Sequence, residues 1–135
     1  MKPVLLDTGV IVAWMDASEL RHTASVEAMQ RAEGPLLTCE AVIAESCHLL
    51  RGLPGAAQDV MANVTAGIFQ ISFQLSSESD AVKSILRKYH DQRIDLADAC
   101  LIRMAEQFET GDILTLDKEF AVYRWGRNRP FHILL

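Results

Sequence analysis

Short apolar runs alternate along this chain with longer stretches in which apolar positions recur every three or four residues, the pattern of strands followed by helices. Val4-Leu5-Leu6 is a strand-like run that stops at Asp7-Thr8-Gly9, after which Val10, Ile11, Ala13 and Trp14 resume helical spacing. Residues 19 to 33, with Ala24, Val26, Ala28, Met29 and Ala32, read as a helix ended by Gly34-Pro35. Leu36-Leu37-Thr38 is a second strand, and a helix over residues 41 to 50 follows it. Arg51-Gly52-Leu53-Pro54-Gly55 stops that helix, another spans about 56 to 66, and Ile68-Phe69-Gln70-Ile71 is a third strand. Ser76-Ser77-Glu78 caps a helix that runs to Tyr89-His90 with Lys83, Arg87 and Lys88 on a solvated face.

Leu101, Met104, Ala105 and Phe108 then mark the core-facing stripe of an amphipathic helix over 95 to 108. Asp112-Ile113-Leu114-Thr115-Leu116 supplies a fourth strand, 118 to 123 a short helical or turn segment, and Phe131-His132-Ile133-Leu134-Leu135 a last strand. Strands alternating with helices predict an α/β fold with a parallel sheet covered on both faces. No repeat, linker or low-complexity segment interrupts it, and 135 residues, half of them hydrophobic, suit one domain over 1–135 and are too few for two.

Two acids interrupt the apolar stripes. Asp98 lies three residues before Leu101, on the buried side of its helix, and Glu45 shares a face with Val42 and Leu49. A carboxylate pointed at a core is costly unless it is paired, hydrogen-bonded or bound to a metal. Each also has an ordinary reading: Asp95 suits an N-cap, with Asp98 at the third helical position beside free amides. Asp7 and Asp117, at the ends of the first and fourth strands, could likewise be turn or capping residues. Jointly the four acids say more, because all can converge on the carboxyl edge of one parallel sheet, where open α/β sheets bind ligands. Gathered there they repel, so their pKa values rise or a divalent cation neutralises them. An all-oxygen donor set favours Mg²⁺ or Mn²⁺ over Zn²⁺. Such sites suit phosphodiester hydrolysis, since the cation lowers the pKa of water and balances charge on the phosphoryl group.

The net charge of −5 argues against nucleic-acid binding by bulk electrostatics. A bridging cation softens that objection, leaving Arg103, Lys118, Arg124, Arg127 and Arg129 as the candidate flank for an RNA backbone. Around Trp125 the last three also read as a solvated basic tail. Cys39, Cys47 and Cys100 make no C-x-x-C and lie in apolar surroundings, which predicts buried thiols in a reducing compartment, without disulfide or zinc. His22, His48, His90 and His132 are scattered and enter no site. No apolar run reaches a membrane span and Met1-Lys2-Pro3 opens no signal-peptide pattern, so a soluble, cytoplasmic protein is expected.

Asp7-Thr8 after the first strand, Glu45 in a helix after Thr38, the helix start Asp95-Leu96-Ala97-Asp98-Ala99, and Ile113-Leu114-Thr115-Leu116-Asp117-Lys118-Glu119-Phe120 resemble, in order and across the whole chain, the motifs of PIN-domain proteins. The likeness is greatest to the VapC-like toxins of bacterial toxin–antitoxin pairs. It implies a three-layer α/β/α sandwich, Mg²⁺- or Mn²⁺-dependent endoribonuclease activity, frequent homodimerisation, and inhibition by a small antitoxin whose C-terminal segment lies across the active site. Carried over, Asp7 and Asp98 become the principal metal ligands, Glu45 and Asp117 complete the acidic cluster, and Thr8, Asp95 and Thr115 stand behind them. A phosphatase or phospho-acceptor domain would want D-x-D or paired acids after the first strand and a Lys near the last; this chain has Asp7-Thr8-Gly9 and no Lys after Lys118. A PIN-like module that binds RNA or protein without cleaving it is the other alternative.

Overall fold

The computed structural model describes residues 1–135. In chain order the elements are β1 (Val4–Leu6), α1 (Thr8–Met15), α2 (His22–Arg31), β2 (Leu36–Thr38), α3 (Glu40–Leu49), α4 (Ala56–Thr65), β3 (Phe69–Ile71), α5 (Leu75–Lys88), α6 (Leu96–Phe108), β4 (Asp112–Leu114), β5 (Arg124–Trp125), β6 (Arg129–Pro130) and β7 (His132–Ile133). Five strands form one sheet in the order β3-β2-β1-β4-β7, every neighbouring pair parallel, with helices on either side as the α/β/α expectation requires. β1 is central and wholly buried, which is why its three residues are all apolar. Its register sets Leu5 opposite Leu37 on one side and Ile113 on the other.

Leu5, Leu6, Val10, Ile11, Leu101, Met104, Ile113 and Leu114 are fully enclosed, so β1, α1, α6 and β4 share one core. Each such side chain contributes about 1.5–3 kcal/mol relative to exposure, and the same contacts fix where the carboxyl ends of β1 and β4 lie. Asp7 caps α1, Asp95 caps α6 and Asp117 caps the 3-10 turn over Lys118–Ala121, so three acids with ordinary structural readings do have those roles. Cys39 and Cys100 are buried free thiols and Cys47 is half-buried.

Several boundaries differ from the sequence expectation. α2 begins at His22 because Asp16 draws in the amide and hydroxyl of Ser18 and starts a turn that Glu19 continues. β4 ends at Leu114, since Thr115 turns the chain with its own side-chain bonds. The last strand is His132–Ile133 only. The stretch around Trp125 is no solvated tail: it folds as an antiparallel hairpin of β5 and β6, turning through left-handed Gly126 and Asn128. Trp125 is buried against Gly111, where any Cβ would overlap its indole, and its Nε1 donates to the Pro130 carbonyl at 3.1 Å.

Candidate active site

Asp7 leaves β1 with its amide bonded to the Leu114 carbonyl at 3.0 Å, which anchors it to β4. Its Oδ1 accepts the Thr8 amide at 2.7 Å and its Oδ2 the Thr115 hydroxyl at 2.6 Å. Burial pushes its carboxyl up to about 6, against the pull of those two bonds and with a small push from Asp117 and Glu45. Asp98 lies one turn into α6, its amide donating to Asp95 Oδ1 at 2.8 Å. With only 8 % of its surface exposed, Asp98 is pushed up to about 8, first by burial and then by the negative charges of Asp95, Asp7 and Asp117. The Tyr123 hydroxyl, itself pushed up by burial and by Asp98, faces Asp98 Oδ2 at 3.4 Å.

Asp117 accepts the Glu119 amide on Oδ1 at 2.9 Å and donates its own amide to Thr115 Oγ1 at 3.0 Å. Carboxylate oxygens of Asp7, Asp98 and Asp117 all lie within 4.8 Å of one another. Glu45 comes from α3 to the same cleft, where its Oε1 accepts the Thr8 hydroxyl at 2.7 Å, but it stands outside that group of three. The expected cluster of four is thus a close trio with Glu45 one hydrogen bond behind Thr8. The cleft encloses about 290 Å³ at the carboxyl edge of the sheet, and no Lys, Arg or His lines it. Converging carboxylates without a protein cation, two of them with raised pKa values, fit a hard divalent cation held through oxygen.

The basic residues are less uniform than the sequence suggests. Lys118 follows Asp117 and is exposed beside the site. Arg103 is engaged elsewhere: Nε donates to Glu78 at 2.6 Å and a terminal nitrogen to Glu106 at 3.2 Å, tying α5 to α6. Arg124 is folded back on the carbonyls of Ala121, Val122 and Tyr123. Arg129 stacks on Trp125 at 3.9 Å, and Arg127 is exposed in the hairpin turn. Arg103 and Arg124 thus make intramolecular contacts, whereas Lys118 makes no ion pair. Two residues near the cleft carry no sequence signal: Tyr123, in a stretch read as turn, and Arg21, which reads as the interior of a helix.

A sequence model of the PIN domain family matches residues 4–126. Ribonuclease VapC26 of Mycobacterium tuberculosis (strain ATCC 25618 / H37Rv) is 30% identical over 117 residues, covering 85% of this chain and 87% of that protein. Among solved structures, Mycobacterium tuberculosis VapC20, described as a Sarcin-Ricin loop cleaving toxin, superposes with a TM-score of 0.78 at 21% identity over 94% of this chain and 99% of its own.

Proposed function

The chain belongs to the PIN-domain family, and from that premise we propose that it is an endoribonuclease that hydrolyses RNA phosphodiester bonds as the toxin of a toxin–antitoxin pair, with residues 1–135 as one catalytic domain. The observation that carries this reading is the trio Asp7, Asp98 and Asp117 with oxygens inside 4.8 Å, facing an open cleft at the sheet's carboxyl edge. Ribonuclease VapC26 is named for the same activity.

In this reading Asp7, Asp98 and Asp117 hold Mg²⁺ or Mn²⁺. The cation supplies Lewis-acid stabilisation of phosphoryl charge and lowers the pKa of water. Thr8 and Thr115 fix both oxygens of Asp7, so its carboxylate enters the site in one orientation. Asp95 does the same for the first turn of α6 that presents Asp98. Glu45, one oxygen held by Thr8, offers the other to take a proton from the attacking water. A small cognate antitoxin covering the cleft, a homodimeric assembly and a cytoplasmic site of action complete the proposal. No helix of the chain is long and apolar enough to cross a membrane.

The test is cleavage of mixed RNA by purified protein in Mg²⁺ or Mn²⁺, in EDTA, and by Asp98→Asn. Cutting that needs the cation and is lost in the variant supports the proposal. Absence of cutting by folded, antitoxin-free protein on several RNAs favours the binding-module alternative, and cutting that survives in Asp98→Asn puts the site elsewhere.

A further inference from the structure

A second cavity, of about 400 Å³, adjoins the acidic cleft and shares Leu116 and Asp117 with it. Arg21 and Lys118 line its rim, while Leu116, Ala121, Ile133 and Leu135 contribute apolar surface. Neither Arg21 nor Lys118 takes part in any ion pair of the protein, unlike Arg103, and both are exposed. Ile133 and Leu135 lie beyond the residues 4–126 matched by the family model.

We infer that this cavity is a substrate subsite that takes one ribonucleotide next to the scissile phosphate, its sugar and base on the apolar wall and its phosphate between Arg21 and Lys118. The inference rests on the endoribonuclease reading and adds to it. An RNA strand threading an acidic cleft on a protein of net charge −5 needs cations where its backbone leaves that cleft. Among the basic residues near the site, these two are unpaired and border the cavity that opens from Asp117. The volume falls in the range of small-ligand pockets, and the apolar wall with two cations at the rim matches a nucleotide's apolar face and anionic edge. α2 starts at His22, directly after Arg21, with no side chain capping its amides, so the helix end adds positive potential on the same side.

The experiment measures binding of a fluorescein-labelled, mixed-sequence single-stranded RNA of twelve or so nucleotides to the non-cleaving Asp98→Asn protein, alone and combined with Arg21→Ala, Lys118→Ala or, as a control at the opposite end of the sheet, Arg31→Ala. Each subsite substitution is expected to weaken binding about tenfold and to lower the slope of log affinity against log salt by about one, with Arg31→Ala unchanged. In the cleaving protein the same two substitutions should raise KM about tenfold with kcat within about twofold, the pattern of lost uniform binding. Ala121→Trp, which fills the cavity from an exposed position, should weaken binding to a similar degree. Cleavage by wild type together with unchanged RNA affinity in all three subsite variants overturns the subsite and leaves the nuclease standing. A folded wild type that neither cuts nor binds RNA overturns both.

Discussion

Thr115 joins the carboxyl ends of two neighbouring strands through Asp7: its hydroxyl donates to Asp7 Oδ2 at 2.6 Å while its oxygen accepts the Asp117 amide at 3.0 Å. One buried hydroxyl thereby orients one acid of the trio and fixes the backbone of another. Thr115→Val keeps the shape and removes both bonds. The expected result is a loss of about 1–3 kcal/mol in urea unfolding together with a fall of about 10–100-fold in RNA cleavage. Thr115→Ser, which restores the hydroxyl, should recover most of the activity. Full activity in the valine variant would remove Thr115 from the positioning role.

Folding raises the carboxyl pKa of Asp7 from 3.8 to about 6 and that of Asp98 from 3.8 to about 8. In the metal-free protein the folded chain therefore keeps protons that the unfolded chain releases above about pH 4. By linkage these two groups contribute stability that is present below that pH and lost as pH climbs through about 6 and then about 8. In EDTA the urea midpoint should fall from about pH 5 to about pH 9. Asp98→Asn should flatten the upper part of that decline and be the more stable protein at its alkaline end. In the proposed reading Mg²⁺ binds the folded form through Asp98, so it should raise the melting temperature of wild type more than that of the variant. Equal Mg²⁺ shifts in the two proteins would count against Asp98 as a ligand.

Glu45 has a different place from the other acids, since its link to the trio runs through the Thr8 hydroxyl. If it handles a proton and leaves ligation to the three aspartates, Glu45→Gln should lower cleavage by about 10²-fold or more while Mn²⁺ affinity, read by calorimetry, stays within a few-fold. Asp98→Asn should lose both. A Glu45→Gln protein that no longer binds Mn²⁺ would make Glu45 a direct ligand.

The parallel sheet and the position of all four acids were legible because both depend on local pattern. A strand of three apolar residues that breaks at a polar one, as at Asp7, places that residue at the sheet's carboxyl edge whatever the rest of the chain does. The helical stripe likewise betrays Asp98, because a charge at a core position must have a reason. What stayed hidden depends on contacts across the fold. Glu45 looked equivalent to Asp98 on its helix, and the Thr8 hydroxyl that separates it from the trio is visible only in three dimensions. The hairpin around Trp125 is short and rich in Arg, so it reads as tail; the fit of the indole against Gly111 is a contact across the fold that spacing does not reveal. Arg21 was masked by a helix expected to start at 19, where Asp16 and Ser18 instead make a turn.

The same limit governs the cations, and Arg103 makes the distinction measurable. From spacing alone it belongs with Lys118 on the substrate's flank, yet its guanidinium is spread between Glu78 on α5 and Glu106 on α6. Glu106 in turn accepts the Gly126 amide at 2.9 Å, so the pair also steadies the hairpin. With 31 % of the Arg103 side chain and 17 % of Glu78 exposed, solvent screens the interaction and its removal should cost about 1 kcal/mol or less. Arg103→Ala should therefore lower the melting temperature by about 4 °C or less and leave RNA affinity in the Asp98→Asn background unchanged. Lys118→Ala should do the reverse. A loss of RNA affinity in Arg103→Ala at undiminished stability would mean that the guanidinium leaves its two glutamates for the RNA backbone.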